Sequence, residues 1–318
     1  MKEPMEIQTG LLLEFYEKML LIRKFEEALR DLATRGAVHG SVHLCIGQEA
    51  PAVATCASIT QDDYVLPTHR GHGQALAKGA EPGKLLAEIL GRETGYCKGR
   101  VGSMHLFDRE LNNLGTTGIV GSQFSISVGV GLAIKLQESD RCLLCYFGDG
   151  TSNQGWFYEA LNMASLWDLP IIFVCINNLY GMGTPYSRTS KTKIHERASV
   201  FGIRSATADG NDVEDVYTKM VELVAMVKTE KRPALIECYT YRQTGHSAFD
   251  VRPYRPQEEI EDWRKRDPIL QLERRLIRKG VNAAALGEAE TRATQIVADA
   301  EKFAVESPYP TFDPSMEA

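Results

Sequence analysis

Two short polar motifs follow apolar runs in the middle of the chain, and both carry oxygen atoms that can bind a metal ion. Asp149 follows the run "RCLLCYF" within Gly148-Asp149-Gly150, and Asn178 follows the run "IIFVCI". If each run is a strand of a parallel sheet, a crossover helix between them makes the strands neighbours. Carboxylate and amide oxygens suit a hard cation such as Mg²⁺, which also takes oxygens from phosphates. The pattern predicts a site for a magnesium diphosphate.

The residues beside the predicted metal ligands favour an anionic ligand. Gly148 and Gly150 have no side chains, so phosphate oxygens can approach the backbone there. A helix predicted to begin just after Thr151 would present free N–H groups and the positive end of its dipole. Each motif alone has an ordinary structural explanation, because Asp-Gly is common in turns and Asn-Asn in loops. Their occurrence together, both at predicted strand ends, favours the metal site.

The predicted elements around these motifs alternate between strands and helices. Apolar runs indicate strands at about 142–147 and 170–176, with a helix at about 153–167 between them. Two further strands are predicted in "IRSATADG" and "PALIECYTYR", and Asp212 is suited to be the N-cap of the helix between them. This alternation predicts an α/β fold, with a mostly parallel sheet that has helices on both faces.

The pattern outside this alternation divides the chain into three parts. Apolar residues at helical spacing within 11–34 predict a long helix, so residues 1–40 are assigned to an N-terminal helical segment. Residues 41–256 are predicted to form the ligand-binding α/β domain. The charged, helical pattern from residue 257 onward predicts that residues 257–318 form a C-terminal helical tail packed on the same domain.

Composition argues against several other classes of protein. The formal net charge of −6 at pH 7 does not favour nucleic-acid binding, which usually requires a basic domain. No run approaches the roughly 18 apolar residues of a membrane span, so no membrane association is expected. The N-terminus "MKEPMEIQTG" has no signal-peptide or transit character, which predicts a cytoplasmic protein. Cys142 and Cys145 lie three apart in a predicted strand, so they should point to opposite faces and share no metal.

Seven motifs occur in a consistent order between about residues 12 and 275, and together they resemble one family. They are "HLCIGQEA", "THRGHG", "GSMH", "GIVG", "GDGTSNQG", "NNLYGMGT" and "YRQTGHS". The pattern of GDG, 26 residues and NN is similar to the thiamine diphosphate motif. The ordered set resembles the α subunits of the E1 component of 2-oxo acid and acetoin dehydrogenase complexes. The resemblance implies the thiamine diphosphate-binding fold, with thiamine diphosphate and Mg²⁺ as cofactors.

The resemblance also assigns roles to individual residues. Asp149 and Asn178 match magnesium ligands, and Tyr180 matches a ligand that acts through its backbone carbonyl. His43 and His246 match active-site histidines, and His246 lies in a catalytic loop that also contacts the cofactor. The residues that match the other cofactor contacts are His69 and Arg70 on the diphosphate, Gly118 and Val120 through their backbones on the aminopyrimidine, and Gly148, Gly150 and Thr151 around the diphosphate.

Several residues depart from the family pattern near the cofactor and its entrance. His69 stands where relatives often carry tyrosine, and the pair His69-Arg70 is similar to acetoin-type enzymes. The motif "GMGT", in contrast, is more similar to pyruvate-type enzymes, and Thr244 stands where those enzymes often carry histidine or arginine. These differences leave the acyl substrate open.

The resemblance implies an enzyme that cleaves the C–C bond next to the carbonyl of pyruvate, a related 2-oxo acid or acetoin. The acyl group would pass to the lipoamide of a lipoyl-bearing E2. In the family, a glutamate of the β subunit activates the aminopyrimidine, and this chain offers no candidate for it. We therefore expect a catalytic α subunit whose active site is completed by an E1 β subunit, in an α2β2 heterotetramer.

Two alternative functions remain open at this point. A non-oxidative, thiamine diphosphate-dependent carboligase (an acyloin synthase) could be built from the same subunits and would need no E2. A non-catalytic paralogue would bind the cofactor or a partner without turnover. A neighbouring gene for a lipoyl-bearing E2 would favour the dehydrogenase, whereas cofactor binding without activity would favour the paralogue.

Overall fold

The computed structural model of the protein describes residues 6–250 and 254–311. Its strands are β1 (Tyr64–Leu66), β2 (Leu143–Gly148), β3 (Ile171–Asn177), β4 (Tyr180–Gly181), β5 (Thr184–Pro185), β6 (Arg204–Asp209) and β7 (Ala234–Tyr239). Five of them form one sheet in the order β1-β2-β3-β7-β6, and every pairing in it is parallel. The small strands β4 and β5 form a separate antiparallel pair. The predicted, mostly parallel sheet is confirmed.

The described helices surround this sheet. The first six are α1 (Thr9–Thr34), α2 (Glu49–Ala57), α3 (His72–Lys78), α4 (Pro82–Ile89), α5 (Ser122–Leu136) and α6 (Gly155–Leu166). The others are α7 (Tyr186–Thr189), α8 (Ile194–Ala198), α9 (Val213–Glu230), α10 (Gln257–Lys265), α11 (Pro268–Arg278) and α12 (Ala283–Glu306). None of the helices in the described ranges is long and apolar enough to cross a membrane.

Alternate residues of the central strands pack into two separate hydrophobic cores. On β2, Leu144 and Tyr146 belong to the core that contains apolar residues of α1, α2, α4, α9, α11 and α12. Leu143 and Phe147 belong to the other core, with apolar residues of α5 and α6. This alternation follows from the two-residue period of a strand. Because both faces of the sheet are covered by helices, the central strands β2 and β3 can be almost entirely apolar, as their sequences are.

The two cysteines of the CxxC motif lie in different cores, as predicted. Cys142 packs in the core with α1, and Cys145 packs in the core with α5. Both thiols are free and fully buried, and burial raises the pKa of Cys145 to about 12. They therefore form neither a redox pair nor a shared metal site.

The element boundaries agree with the sequence in most places and differ in two. The predicted long helix is α1, and Asp212 caps α9 by accepting from the backbone N–H groups of Glu214 and Asp215. The strand β1 was not expected, because three residues are too few for a periodic pattern. The helix expected just after Thr151 begins only at Gly155, after a 3₁₀ turn over Gly150–Asn153. The helix predicted at about 153–167 is therefore α6, with a start two residues later than expected, and its contribution to anion binding stays a prediction.

The C-terminal helices pack on the N-terminal helix as well as on the rest of the chain. The helix α12 contacts α1 and α4, and α11 contacts α1 and α2. The side chain of Arg23 on α1 forms ion pairs with Glu49 at 2.6 Å and with Asp267 at 2.8 Å, which joins α1 to α2 and to the start of α11. The division at residues 40 and 256 stays a prediction, and the outermost residues of both terminal segments lie outside the described residues.

One buried carboxylate organises the glycine-rich loop that follows α4. Glu88 is fully buried, and its two carboxylate oxygens accept backbone N–H groups from Cys97, Gly99, Val101 and Gly102 at 2.7–3.3 Å. A single side chain thus satisfies four donors of a loop that forms no regular structure. Buried backbone donors need such partners because an unpaired one costs free energy.

We expect Glu88→Ala to lower the free energy of unfolding by about 2–4 kcal/mol, because several partly buried N–H groups lose their acceptor. Glu88→Gln keeps one acceptor oxygen and should lose less. Glu93→Ala, at an exposed position of the next turn, is the control and should change stability by no more than about 0.5 kcal/mol. Calorimetric melting of the three variants provides the measurement. Equal losses at positions 88 and 93 would show that the loop does not depend on this carboxylate.

Candidate active site

A cavity of about 530 Å³ opens at the carboxyl edge of the parallel sheet. It is lined by residues that follow four strands, β1, β2, β3 and β7, as expected for ligand sites in open α/β sheets. The sequence-predicted site residues that line it are His69, Arg70, Val120, Gly148, Asp149, Gly150, Thr151, Asn178, Tyr180 and His246. The fold therefore brings together, in one cavity, predicted site residues that are up to 177 positions apart in the sequence (246 − 69).

Asp149 and Asn178, the two residues predicted to bind a metal ion through their side chains, line the same cavity because β2 and β3 are adjacent. In the register of this pair, Gly148 lies beside Ile176, so both strands reach the carboxyl edge together. Asp149 is almost fully buried, and its Oδ2 atom has no hydrogen-bond partner in the described part of the chain. Burial raises the pKa of Asp149 to about 6. A bound cation would reverse this effect, because it favours the charged carboxylate.

The orientation of the Asn178 amide is fixed by its neighbours. Its Oδ1 atom accepts the backbone N–H of Tyr180 at 3.3 Å, and its Nδ2 atom donates to Oε1 of Gln48 at 3.0 Å. The preceding Asn177 accepts the backbone N–H of Leu179, which has a positive φ of 70°. The turn after β3 thus holds the amide oxygen of Asn178 close to the backbone that leads into Tyr180.

Two buried arginines give the cavity a positive charge. Arg70 donates to the backbone carbonyls of Leu44 and His246, and Arg242 donates to the carbonyl of Met182 at 3.0 Å. Neither guanidinium forms a salt bridge with any carboxylate of the described ranges. Burial, with a contribution from Arg242, lowers the pKa of Arg70 to about 9. Buried cations without a carboxylate partner favour an anionic ligand.

Three histidine rings lie together beside these arginines. The ring of His43 is 4.6 Å from that of His69 and 4.9 Å from that of His246, between centroids. Burial and the charge of Arg70 lower the pKa of His43 to about 3, of His69 to about 2 and of His246 to about 4. All three imidazoles are therefore neutral near pH 7, and each has a buried ring nitrogen that finds no partner among the described residues.

The electrostatics of this histidine cluster favour an anion over a cation. The ring nitrogens of His43, His69 and His246 lie within 4.8 Å of one another, a spacing that a transition metal could draw together. The same positive field that lowers their pKa values also opposes a divalent cation. The cluster is better suited to donate hydrogen bonds to an anion that Arg70 and Arg242 attract.

Two predicted residues lie outside the wall of the cavity. His43 reaches the site through its ring contacts with His69 and His246. Gly118 lies next to His105, since a Cβ atom built on it would be 3.3 Å from that ring. Its backbone role towards the aminopyrimidine stays a prediction.

Two further histidines, His72 and His195, lie outside the cavity lining. His72 is fully buried between Glu26, at 3.1 Å from Nδ1, and Ser103, at 2.8 Å from Nε2. His195 pairs with the buried Glu237 at 2.9 Å. Their hydrogen bonds connect parts of the fold and give them a structural role.

Gln48 and Arg242 are two of the cavity residues that the sequence did not assign to the site. Gln48 belongs to "GQEA" and Arg242 to "YRQTGHS", so both lie inside recognised motifs. Their place within these motifs was the only signal in the sequence that they belong to the site. Glutamine and arginine are common at surfaces, however, and nothing local distinguishes a buried one from an exposed one.

Comparison with known proteins assigns the chain to a family. A family model described as "Dehydrogenase E1 component" matches residues 17–313. The α subunit of acetoin:2,6-dichlorophenolindophenol oxidoreductase from Bacillus subtilis (strain 168) is 39% identical over 311 residues, covering 97% of this chain and 93% of the relative. The pyruvate dehydrogenase E1 component α subunit of Zymomonas mobilis is 42% identical over 302 residues, covering 94% of this chain and 85% of the relative. The corresponding subunit of Rhizobium meliloti is 41% identical over 301 residues, covering 94% of this chain and 86% of the relative. The chain therefore belongs to the dehydrogenase E1 component family.

Proposed function

We propose that this chain is the α subunit of a thiamine diphosphate- and Mg²⁺-dependent E1 enzyme that cleaves the C–C bond next to the carbonyl of a 2-oxo acid or acyloin. The observation that carries the proposal is the composition of one cavity. It combines a buried carboxylate that has an unpaired oxygen, Asp149, with two buried arginines that have no carboxylate partner in the described ranges. In a metal-bound diphosphate, the cation would pair with the Asp149 carboxylate, and the phosphoryl oxygens would pair with the two arginines.

The residues present fit the cofactor of the family, which is thiamine diphosphate. Asp149 and Asn178 provide the side-chain oxygens that would hold Mg²⁺, and the backbone of Tyr180 follows at the same edge. Arg70 and Arg242 would bind the diphosphate, since a guanidinium can donate to phosphate through two N–H groups. The cavity volume of about 530 Å³ lies within the usual range for cofactor sites.

The bound cofactor supplies a carbon nucleophile for the substrate carbonyl and an electron sink for the broken C–C bond. The role of this chain is to bind, orient and exchange protons. His43 and His246 are neutral near pH 7, and the Nδ1 atom of each has no partner in the described ranges, so each can form a hydrogen bond with the ligand there. A bound diphosphate anion would raise their pKa values towards the range in which histidine exchanges protons. The backbone carbonyl of His246 meanwhile fixes Arg70 at 3.0 Å.

Two observations support the expectation that a β subunit completes the site. Asp149 is the only carboxylate that lines the cavity within the described ranges, so the activating glutamate is not found there. Exposed apolar residues lie beside the cavity, since Val120 lines it and Trp156 is near Gly121. Exposed apolar groups of this kind mark interaction surfaces. We propose an α2β2 heterotetramer that passes the acyl group to the lipoamide of an E2. A cytoplasmic location stays a prediction.

The substrate can be identified by assay of the purified αβ complex with a dye acceptor. The relatives are named for pyruvate and for acetoin, so the panel should contain 2-oxo acids and acyloins. Dye reduction that depends on both magnesium and thiamine diphosphate would support the proposal. Acyloin formation without dye reduction would instead support the carboligase. Failure of the complex to bind the cofactor would exclude both functions.

We expect Asp149→Ala and Asp149→Asn to weaken magnesium-dependent binding of thiamine diphosphate by at least about 100-fold. Loss of an outer hydrogen-bond partner of a metal ligand already costs about 10–100-fold, and Asp149 is proposed as a ligand itself. Stability without ligand should not fall, because burial disfavours this charged carboxylate. Calorimetric titration and thermal melting measure the two quantities. Unchanged affinity in both variants would remove Asp149 from the metal site.

We expect Arg70→Lys to weaken cofactor binding by about tenfold or more, which corresponds to the loss of a charge-assisted hydrogen bond. Lysine keeps the charge but not the planar fork that holds the carbonyls of Leu44 and His246. Arg109→Lys, an exposed position away from the cavity lining, is the matched control and should bind normally. If the two variants bind thiamine diphosphate equally well, Arg70 does not contact the diphosphate.

We expect His246→Ala to lower kcat by about 10²–10⁴-fold, the usual contribution of a positioned acid–base group, while cofactor affinity changes much less. The backbone carbonyl that holds Arg70 remains in this variant. His39→Ala, in an exposed loop, is the control. Steady-state kinetics and calorimetry separate the two effects. A variant with full kcat, or one that no longer binds the cofactor, would contradict the proposed role.

A further inference from the structure

The amide group of Gln48 is a hydrogen-bond donor without an acceptor. Gln48 lines the cavity and is only 4% exposed, and its Nε2 atom has no partner in the described part of the chain. Buried polar groups in native proteins almost always have partners, so each exception needs an explanation. A cavity residue with a free, buried donor indicates a ligand atom that accepts from it.

The direction of this amide follows from a chain of hydrogen bonds. The backbone N–H of Tyr180 can only donate, so the atom of Asn178 that faces it must be Oδ1. The Nδ2 group of Asn178 then faces Gln48, whose facing atom must be Oε1. If Gln48 were flipped, two NH₂ groups would face each other. The NH₂ group of Gln48 is therefore the end that remains free.

The backbone around Gln48 is rigidly held against the end of β7. Gly47 has a positive φ of 92°, and a Cβ atom on it would lie 2.5 Å from the carbonyl oxygen of Tyr241. The carbonyl of Gly47 accepts from the hydroxyl of Thr240 at 3.0 Å, and the N–H of Gln48 donates to the carbonyl of Cys45 at 2.8 Å. The free amide is thus fixed in place before any ligand binds, as a binding group should be.

We propose that Gln48 is a ligand-binding residue whose Nε2 amide donates a hydrogen bond to a phosphoryl oxygen at the metal end of the cavity. This inference rests on the proposed function, because Asn178, the direct partner of Gln48, is the proposed metal ligand. The phosphoryl oxygens that would share the metal with Asn178 are strong acceptors for such a donor. The same side chain also holds the Asn178 amide in the orientation that presents its oxygen.

Two substitutions separate these two roles. Gln48→Glu keeps an oxygen that can accept from Asn178 but places a carboxylate against the phosphoryl oxygen. Gln48→Met keeps the size of the side chain and removes both hydrogen bonds. Gln137→Met, at the exposed C-terminal end of α5, is the control.

The test is calorimetric titration of the purified αβ complex with thiamine diphosphate and, separately, with inorganic diphosphate, both with Mg²⁺. We expect Gln48→Met to weaken binding of each ligand by about tenfold or more, the effect of losing a hydrogen bond to a charged group. Gln48→Glu should weaken binding further, although its melting temperature stays close to that of the wild type. The Gln137→Met variant should match the wild type throughout.

The outcomes are distinguishable from a failure of the proposed function. If the wild-type complex binds thiamine diphosphate and Asp149→Asn does not, but both Gln48 variants bind normally, only the inference on Gln48 is overturned. Normal cofactor affinity with a raised KM for the substrate would also overturn it, because the acceptor would then be a substrate oxygen. A wild-type complex that does not bind the cofactor would overturn the proposed function itself.

Discussion

The parallel pairing of β2 with β3 is the constraint on which the rest of the site depends. It places Asp149 and Asn178 at the same edge of the sheet, one after each strand. The pairings of β1 with β2 and of β3 with β7 bring Arg70 and Arg242 to the same edge. Since parallel strands share one direction, their carboxyl ends lie at the same edge of the sheet. The loops that follow them therefore converge at this edge, although they are distant in sequence. The cavity is a consequence of the topology, and its chemistry comes from the residues that follow each strand.

The charges in this cavity attract one another only weakly, without a salt bridge in the described ranges, and they are better matched to a ligand. Arg70 and Arg242 are buried without a carboxylate partner in the described ranges, and Asp149 is buried with one oxygen unpaired. The lowered pKa of Arg70 and the raised pKa of Asp149 reflect the same cause, which is removal of a charge from water. A ligand that combines a cation with an anion offsets both penalties. These buried charges lower the stability of the ligand-free chain and raise its affinity for the ligand, as is common at functional sites.

Most of the fold could be predicted because its signals are local. The apolar runs of β2 and β3, the helical spacing in α1 and the cap at Asp212 depend only on neighbouring residues. The strand β1 could not be predicted, because its three residues gain their strand conformation from pairing with β2. The 3₁₀ turn at Gly150–Asn153 was also missed, since helix boundaries are set by tertiary packing as much as by sequence.

The sequence by itself determined which residues could carry the chemistry, because the type and spacing of Asp149 and Asn178 already indicate a metal site and the ordered motifs indicate the family. Only the tertiary structure decided which polar groups meet. Gln48 contacts Asn178 across 130 positions, and Arg70 contacts His246 across 176. The sequence also could not show that the histidines near Arg70 are neutral, because their pKa values depend on burial and on neighbouring charges. Contacts and electric fields of this kind arise from three-dimensional proximity, which residue spacing does not encode.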